Sequence, residues 1–180
     1  MRKIPKPQEG EYAPYAIMYI GLLSDDGLVL SHMESNLKLV KALILPLSED
    51  RLTYRFAEGE WTIKEILAHI IDDERIYSYR ALRFARNDTT ELPGFDQDVY
   101  AANSGANQRS IGDIFEEYTA VRSATITLFY SFDEEVYTRA GVANGHRMSV
   151  RAAAYHIAGH ELHHINSIKQ NYLQEQRTSS

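Results

Sequence analysis

Four long stretches of this chain repeat apolar residues at helical spacing, and glycine and proline fall mostly between them. That pattern constrains the fold more than any other feature, because it leaves little backbone for a sheet. The first segment runs from about Asp26 to Leu45, with Leu30, Met33, Leu37, Val40 and Ile44 on one stripe and Pro46 closing it. A short turn or helix follows around Ser48–Leu52. The second segment has the clearest start: Thr62 and Glu65 form a capping box, and Trp61 is placed to staple onto Ile66. Ile63, Ile66, Leu67, Ile70 and Ile71 carry it towards Arg86. Ser110 opens the third, with Asp113 at its third helical position and Ile114, Tyr118, Val121 and Leu128 on its stripe. A loop containing Gly141, Asn144 and Gly145 leads to Ser149, the expected N-cap of a last helix from Val150 to about Leu173.

Between the second and third helices, NDTTELPGFDQDVYAANSGAN breaks the period and makes a long connection. Four long helices with two long connections imply an all-α four-helix bundle with at least one crossover. Residues 1–24, rich in tyrosine (Tyr12, Tyr15, Tyr19), read as an arm packed on a bundle of residues 25–180, and the polar end EQRTSS reads as frayed. A length of 180 residues suits one domain with its own core.

The chain has no cysteine, so thiolate ligands, disulfides and a Cys nucleophile are all excluded. With no apolar core in MRKIPKPQEGEYAPY and no run near the ~20 residues that span a bilayer, a cytoplasmic protein without membrane contact is expected. The formal charge of −6 argues against a nucleic-acid partner. A small-molecule substrate or a second copy of the chain fits better.

Four of the seven histidines crowd into HIAGHELHH, residues 156–164. Residues four apart on a helix are about 40° apart around its axis, so His160 and His164 project to one side, with His156 one turn back. His163 is turned towards another face. Two imidazoles at this spacing can reach one ion, but a tight site needs a third ligand. His69, set among the apolar positions of the second helix, is the best candidate, because a buried ring of this polarity needs a partner. Asp73 lies one turn further along the same face, where it could orient a ligand ring or serve as a base; Glu161 is the weaker choice. Three histidines leave positions open for water or substrate, as in catalytic sites. His156 stays open between cavity wall, supporting donor and alternative ligand.

Plainer readings hold for the rest. His32 and His146 read as surface or hydrogen-bonded residues, and Arg80 and Arg83 as a solvated helix face rather than contacts to an acidic substrate. His160-Glu161-Leu162-His163-His164 fits the H-E-x-x-H pattern of zinc proteases. Such an enzyme needs a further ligand downstream, and Glu175 lies about three turns along the same helix, too far to fold back. The protease reading is rejected.

The run GEWTIKEILAHIIDDERIYSYRALRFARND, the loop LPGFDQDVYA and the late AAAYHIAGHELHHINSI resemble the DinB-like (DinB/YfiT-like) superfamily, from about residue 28 onwards. The segment before it does not align with the family. The resemblance implies a four-helix bundle with long crossover connections, frequent homodimers, and a divalent metal ion, zinc or nickel, on His69, His160 and His164. It also implies one of several chemistries: S-transfer using a low-molecular-weight thiol such as bacillithiol or mycothiol, maleylpyruvate isomerisation, or metal-dependent hydrolysis. The expectation is a metal-dependent enzyme of transferase or hydrolase type. The alternative is a non-catalytic bundle, often dimeric, that binds metal or serves a structural role.

Overall fold

The computed structural model describes residues 3–173; Glu175 and the EQRTSS segment lie outside them. A 3-10 turn at Pro14–Ala16 and the one-turn helix α1 (Ile17–Ile20) precede α2 (Val29–Ile44), α3 (Glu49–Leu52), α4 (Ile63–Ala85), α5 (Gln97–Asn103) and α6 (Ile111–Tyr130). A hairpin of β1 (Ala140–Ala143) and β2 (His146–Ser149) then leads into α7 (Val150–Asn171). Among the described residues, no helix is long and apolar enough to cross a membrane.

The expected caps are made. Thr62 accepts from the Glu65 amide at 3.1 Å and its own amide donates to Glu65 Oε2 at 2.8 Å, while Ser110 and Ser149 accept from the Asp113 and Ala152 amides. Three local expectations are corrected. The first helix begins at Val29, not Asp26, because Gly27 takes a left-handed φ of +74° and the Asp26 carboxylate accepts from the Leu28 amide. The connection after α4 holds the two-turn helix α5, started by the Asp96 side chain. The glycine-containing loop before α7 is a hairpin: Asn144 and Gly145 both have positive φ, as a two-residue type I′ turn requires.

The long helices form a ring in which α2 and α4 each pack on both α6 and α7. Helices α2 and α4, neighbours in sequence, therefore stand on a diagonal, as do α6 and α7. Two apolar clusters fill the interior, one around Met33, Phe84, Phe129 and Tyr155, the other around Ile44, Ile66, Ile114 and Ile165. Helices α2 and α7 pass from the first cluster to the second, and α4 and α6 pass the opposite way. Adjacent α4 and α6 are thus parallel, and residues 86–110 must travel the length of the bundle to join them. The N-terminal segment completes the first cluster with Ile4, Ala16, Ile20 and Leu23 and is clipped to α7 by Glu11, whose carboxylate accepts from Arg151 Nε at 2.7 Å.

Between the two clusters every long helix carries buried polar residues: Asn36, Asp73 and Glu74, Arg122 and Thr125, His160 and Glu161. Arg122 corrects the expected α6 stripe. Val121 and Leu128 are only half-buried, whereas Arg122 is 2% exposed. Its Nε and Nη2 donate to both Glu74 oxygens at 2.9–3.1 Å, Nη1 donates to the Met33 carbonyl, and Nη2 lies 3.1 Å from Glu161 Oε2. Tyr118 donates to the other Glu161 oxygen. This one guanidinium reaches α2, α4 and α7 from α6. Removing one member of a buried ion pair leaves its partner desolvated and costs about 3–5 kcal/mol. Arg122→Met should lose that much in urea unfolding, against about 1 kcal/mol or less for Arg75→Ala at the exposed pair with Glu117.

Candidate metal centre

The interface of α4 and α7, the most extensive in the bundle, brings His69 against His160 and His164. His69 Nε2 lies 3.0 Å from His160 Nε2, and His164 Nε2 lies 3.1 Å from the same atom. Two nitrogens each 2.0–2.1 Å from a tetrahedral ion stand roughly 3.3 Å apart, so the spacing suits one small divalent ion. Burial lowers all three imidazoles from their ordinary range, His160 to about 3 and His164 well down, although Asp73 opposes the shift in each. The rings are therefore neutral at pH 7, the form that ligates metal.

Asp73 Oδ2 lies 3.3 Å from His160 Nδ1 and 3.3 Å from His156 Nε2. Burial alone would raise the Asp73 carboxyl, but the surrounding imidazoles outweigh burial and hold it well below the usual carboxylate range. An anion at Nδ1 keeps the ring proton there and leaves the Nε2 lone pair facing His69 and His164. Asp73, His156 and His160 also form a second cluster of ligand type. Since His160 belongs to both, filling both would require its ring to lose both protons. His156 is stacked on Tyr77, centroids 3.6 Å apart, and neither of its nitrogens has a hydrogen-bond partner among the described residues.

The other candidates sort by position. Glu161 is fully buried on Arg122 and Tyr118, away from the imidazoles, so it neither orients a ligand ring nor supplies the base an H-E-x-x-H protease needs. His163 is half-buried with its ring edge-on to Tyr19. His32 pairs with Asp26, and His146 is exposed. Arg83 pairs with Asp88, as a solvated face would. Arg80 corrects that reading, being only 5% exposed.

Two cavities flank the imidazoles. One, about 270 Å³, is walled by Tyr15, Tyr19, Asp73, Tyr77, His156 and His160. The other, about 330 Å³, is walled by Trp61, Asp98, His163, His164 and Tyr172, and Gln97 borders both. Trp61, expected only as a staple, lies 4.8 Å from the His69 ring. Tyr19 places its ring 5.1–5.3 Å from His156, His160 and His163. Periodicity could not place Tyr15 and Tyr19, which come from the arm, but it left one signal unused. Arg80 follows His69 by eleven residues, within about 20° of the same helix face.

Gly159 explains how the arm approaches so closely. A Cβ there would meet the Tyr19 carbonyl oxygen at 2.3 Å. Alanine favours a helix over glycine by about 1 kcal/mol, yet Gly159→Ala should be net destabilising by about 1–3 kcal/mol through overpacking. Thermal melting would register the loss, and limited proteolysis should cut the arm of the variant before that of wild type.

Three comparisons with known proteins agree. The family model of the DinB superfamily matches residues 32–168. A protein of Oceanobacillus iheyensis named “Putative metal-dependent hydrolase OB0413” is 26% identical over 143 residues, covering 78% of this chain and 81% of its own. The structure of YfiT from Bacillus subtilis, described as “a probable metal-dependent hydrolase with an unusual four-helix bundle topology”, superposes with a TM-score of 0.68. It is 16% identical and is matched over 92% of this chain and 90% of its own, a likeness of fold.

Proposed function

The chain belongs to the DinB superfamily, and we propose that it is a metal-dependent hydrolase of a small molecule, with His69, His160 and His164 holding one zinc or nickel ion. The observation that carries this reading is the convergence of three imidazoles on the edge of a cavity, with the Nε2 atoms of His69 and His164 3.0 and 3.1 Å from that of His160. The name of the Oceanobacillus relative supports hydrolysis over other chemistry.

A divalent ion bound there supplies a Lewis acid and brings the pKa of water down towards ~7. The rest falls to the chain. Asp73 holds the proton on His160 Nδ1 and so keeps Nε2 a ligand. Tyr19 and Trp61 cover the ring edges and limit the approach of bulk water to the cavity side. Tyr15 and Tyr77, their hydroxyls 3.5 Å apart, offer donors on the cavity wall to a substrate oxygen. In this scheme Asp73 is a positioning residue.

The test is turnover of an ester and amide panel by zinc- and nickel-loaded protein, beside a His160→Ala/His164→Ala variant. Hydrolysis lost in the variant is expected. Loaded protein that hydrolyses nothing but joins bacillithiol to an electrophile would show an S-transferase instead, and loaded protein inert in both assays would show a non-catalytic bundle. For Asp73, removing a partner of a ligand imidazole typically weakens metal binding about 10–100-fold. Asp73→Asn should show a loss of that size in competition with a chromogenic chelator, with its helical content unchanged.

A further inference from the structure

Two arginines of the described chain are buried, and they are treated in opposite ways. Arg122 is neutralised by Glu74 and Glu161. Arg80, 5% exposed, has no carboxylate partner among the described residues. Its Nη2 donates to the Pro93 carbonyl at 2.9 Å, and its guanidinium lies 5.0 Å from the Tyr77 ring centre. A carbonyl and a ring face orient the group but do not cancel a full charge, and a buried cation is costly unless paired.

Arg80 borders the 270 Å³ cavity that also reaches Asp73 and His160. A row of stacked groups runs between the two ends: the guanidinium on Tyr77, Tyr77 on His156 at 3.6 Å, and His156 on His160 at 5.4 Å and 12°. Arg80 and Asp73 are seven residues apart on α4, roughly 10 Å along the axis. The cavity thus has a cationic end remote from the imidazoles, a reactive end beside them, and aromatic walls from Tyr15, Tyr19, Tyr77 and Phe95 between.

We infer that this cavity seats a small molecule with an apolar or aromatic body and one carboxylate, that the Arg80 guanidinium holds the carboxylate, and that the body extends towards His160. The inference rests on the hydrolase reading for what is done at the imidazole end, whereas the anion seat itself needs no metal. The planar fork of arginine fits a carboxylate by two parallel hydrogen bonds. One unpaired cation, with the anionic Asp73 in the same cavity wall, favours a single negative charge over the two of a phosphate monoester.

The test uses metal-free protein, prepared with a chelator, so that no ion competes for the probe. Phenylacetate, its neutral counterpart phenylacetamide and phenyl phosphate are titrated by calorimetry into wild type, Arg80→Gln and Arg80→Lys, with thermal melting to confirm that each is folded. Hydrogen bonds to a charged group are worth enough that phenylacetate should bind wild type about tenfold or more tighter than the amide. That preference should vanish in Arg80→Gln and persist in part in Arg80→Lys. Equal binding of acid and amide, no binding of either, or an acid preference undiminished in Arg80→Gln would overturn the seat. Tighter binding of phenyl phosphate than of phenylacetate would overturn its assignment to a carboxylate. A protein that passes these tests but takes up no metal keeps the anion seat and loses the hydrolase reading, so the two failures are separable.

Discussion

The structure depends on how it meets the cost of burying polar groups at the middle of a helical bundle. Each long helix brings such groups to the same level, between two apolar clusters. Towards α6 and α2 the cost is met inside the chain: Arg122 spans Glu74, Glu161 and the Met33 carbonyl, and Asn36 donates to the Ala158 carbonyl at 3.2 Å. Between α4 and α7 the groups do not satisfy one another as fully. Three imidazoles converge there, Asp73 Oδ2 meets His156 and His160 only at 3.3 Å, and His156 Nδ1 has no hydrogen-bond partner among the described residues, whereas Glu161 Oε2 lies 3.1 Å from a guanidinium of opposite charge. On the proposed function, a divalent ion and a bound molecule are the partners that would satisfy this half of the belt.

The same topology that produces the belt also builds the cavity beside it. Because α4 and α6 are parallel neighbours, the chain must cross the length of the bundle, and that crossover contributes Phe95 and Gln97 to the cavity. The arm contributes Tyr15 and Tyr19, which lie outside residues 32–168 matched by the family model. The imidazoles therefore sit on helices within the family match, while part of the cavity wall comes from a segment outside it. A common helical frame whose cavity is furnished in part from outside it is a simple physical route to different substrates on one bundle.

Much of this was legible in the residues, where local rules and burial agree. The Thr62 and Glu65 box, the Ser149 cap, and the i, i+4 pair His160 and His164 each follow from helix geometry alone. His69 was found because a polar ring among isoleucines needs a reason to be buried. The misreadings came where tertiary partners override composition. Arg122 looks like a surface residue until Glu74 and Glu161 are brought to it from other helices. Arg80 looked solvated for the same reason, although its helical phase with His69 argued otherwise. The Asn144-Gly145 turn carried a hairpin signal that the surrounding loop obscured. Tyr19 was beyond reach, because its place depends on Gly159 leaving room for the arm's backbone.

The claim on which the rest turns is that the three imidazoles hold an ion, and metal content tests it most directly. Untagged protein purified without chelator should carry about one zinc or nickel ion per chain by mass spectrometry, the stoichiometry of a single three-histidine site. A His160→Ala/His164→Ala variant purified alongside should carry none. Wild-type protein that remains without metal after dialysis against both ions would contradict the account and leave the imidazoles as a polar core.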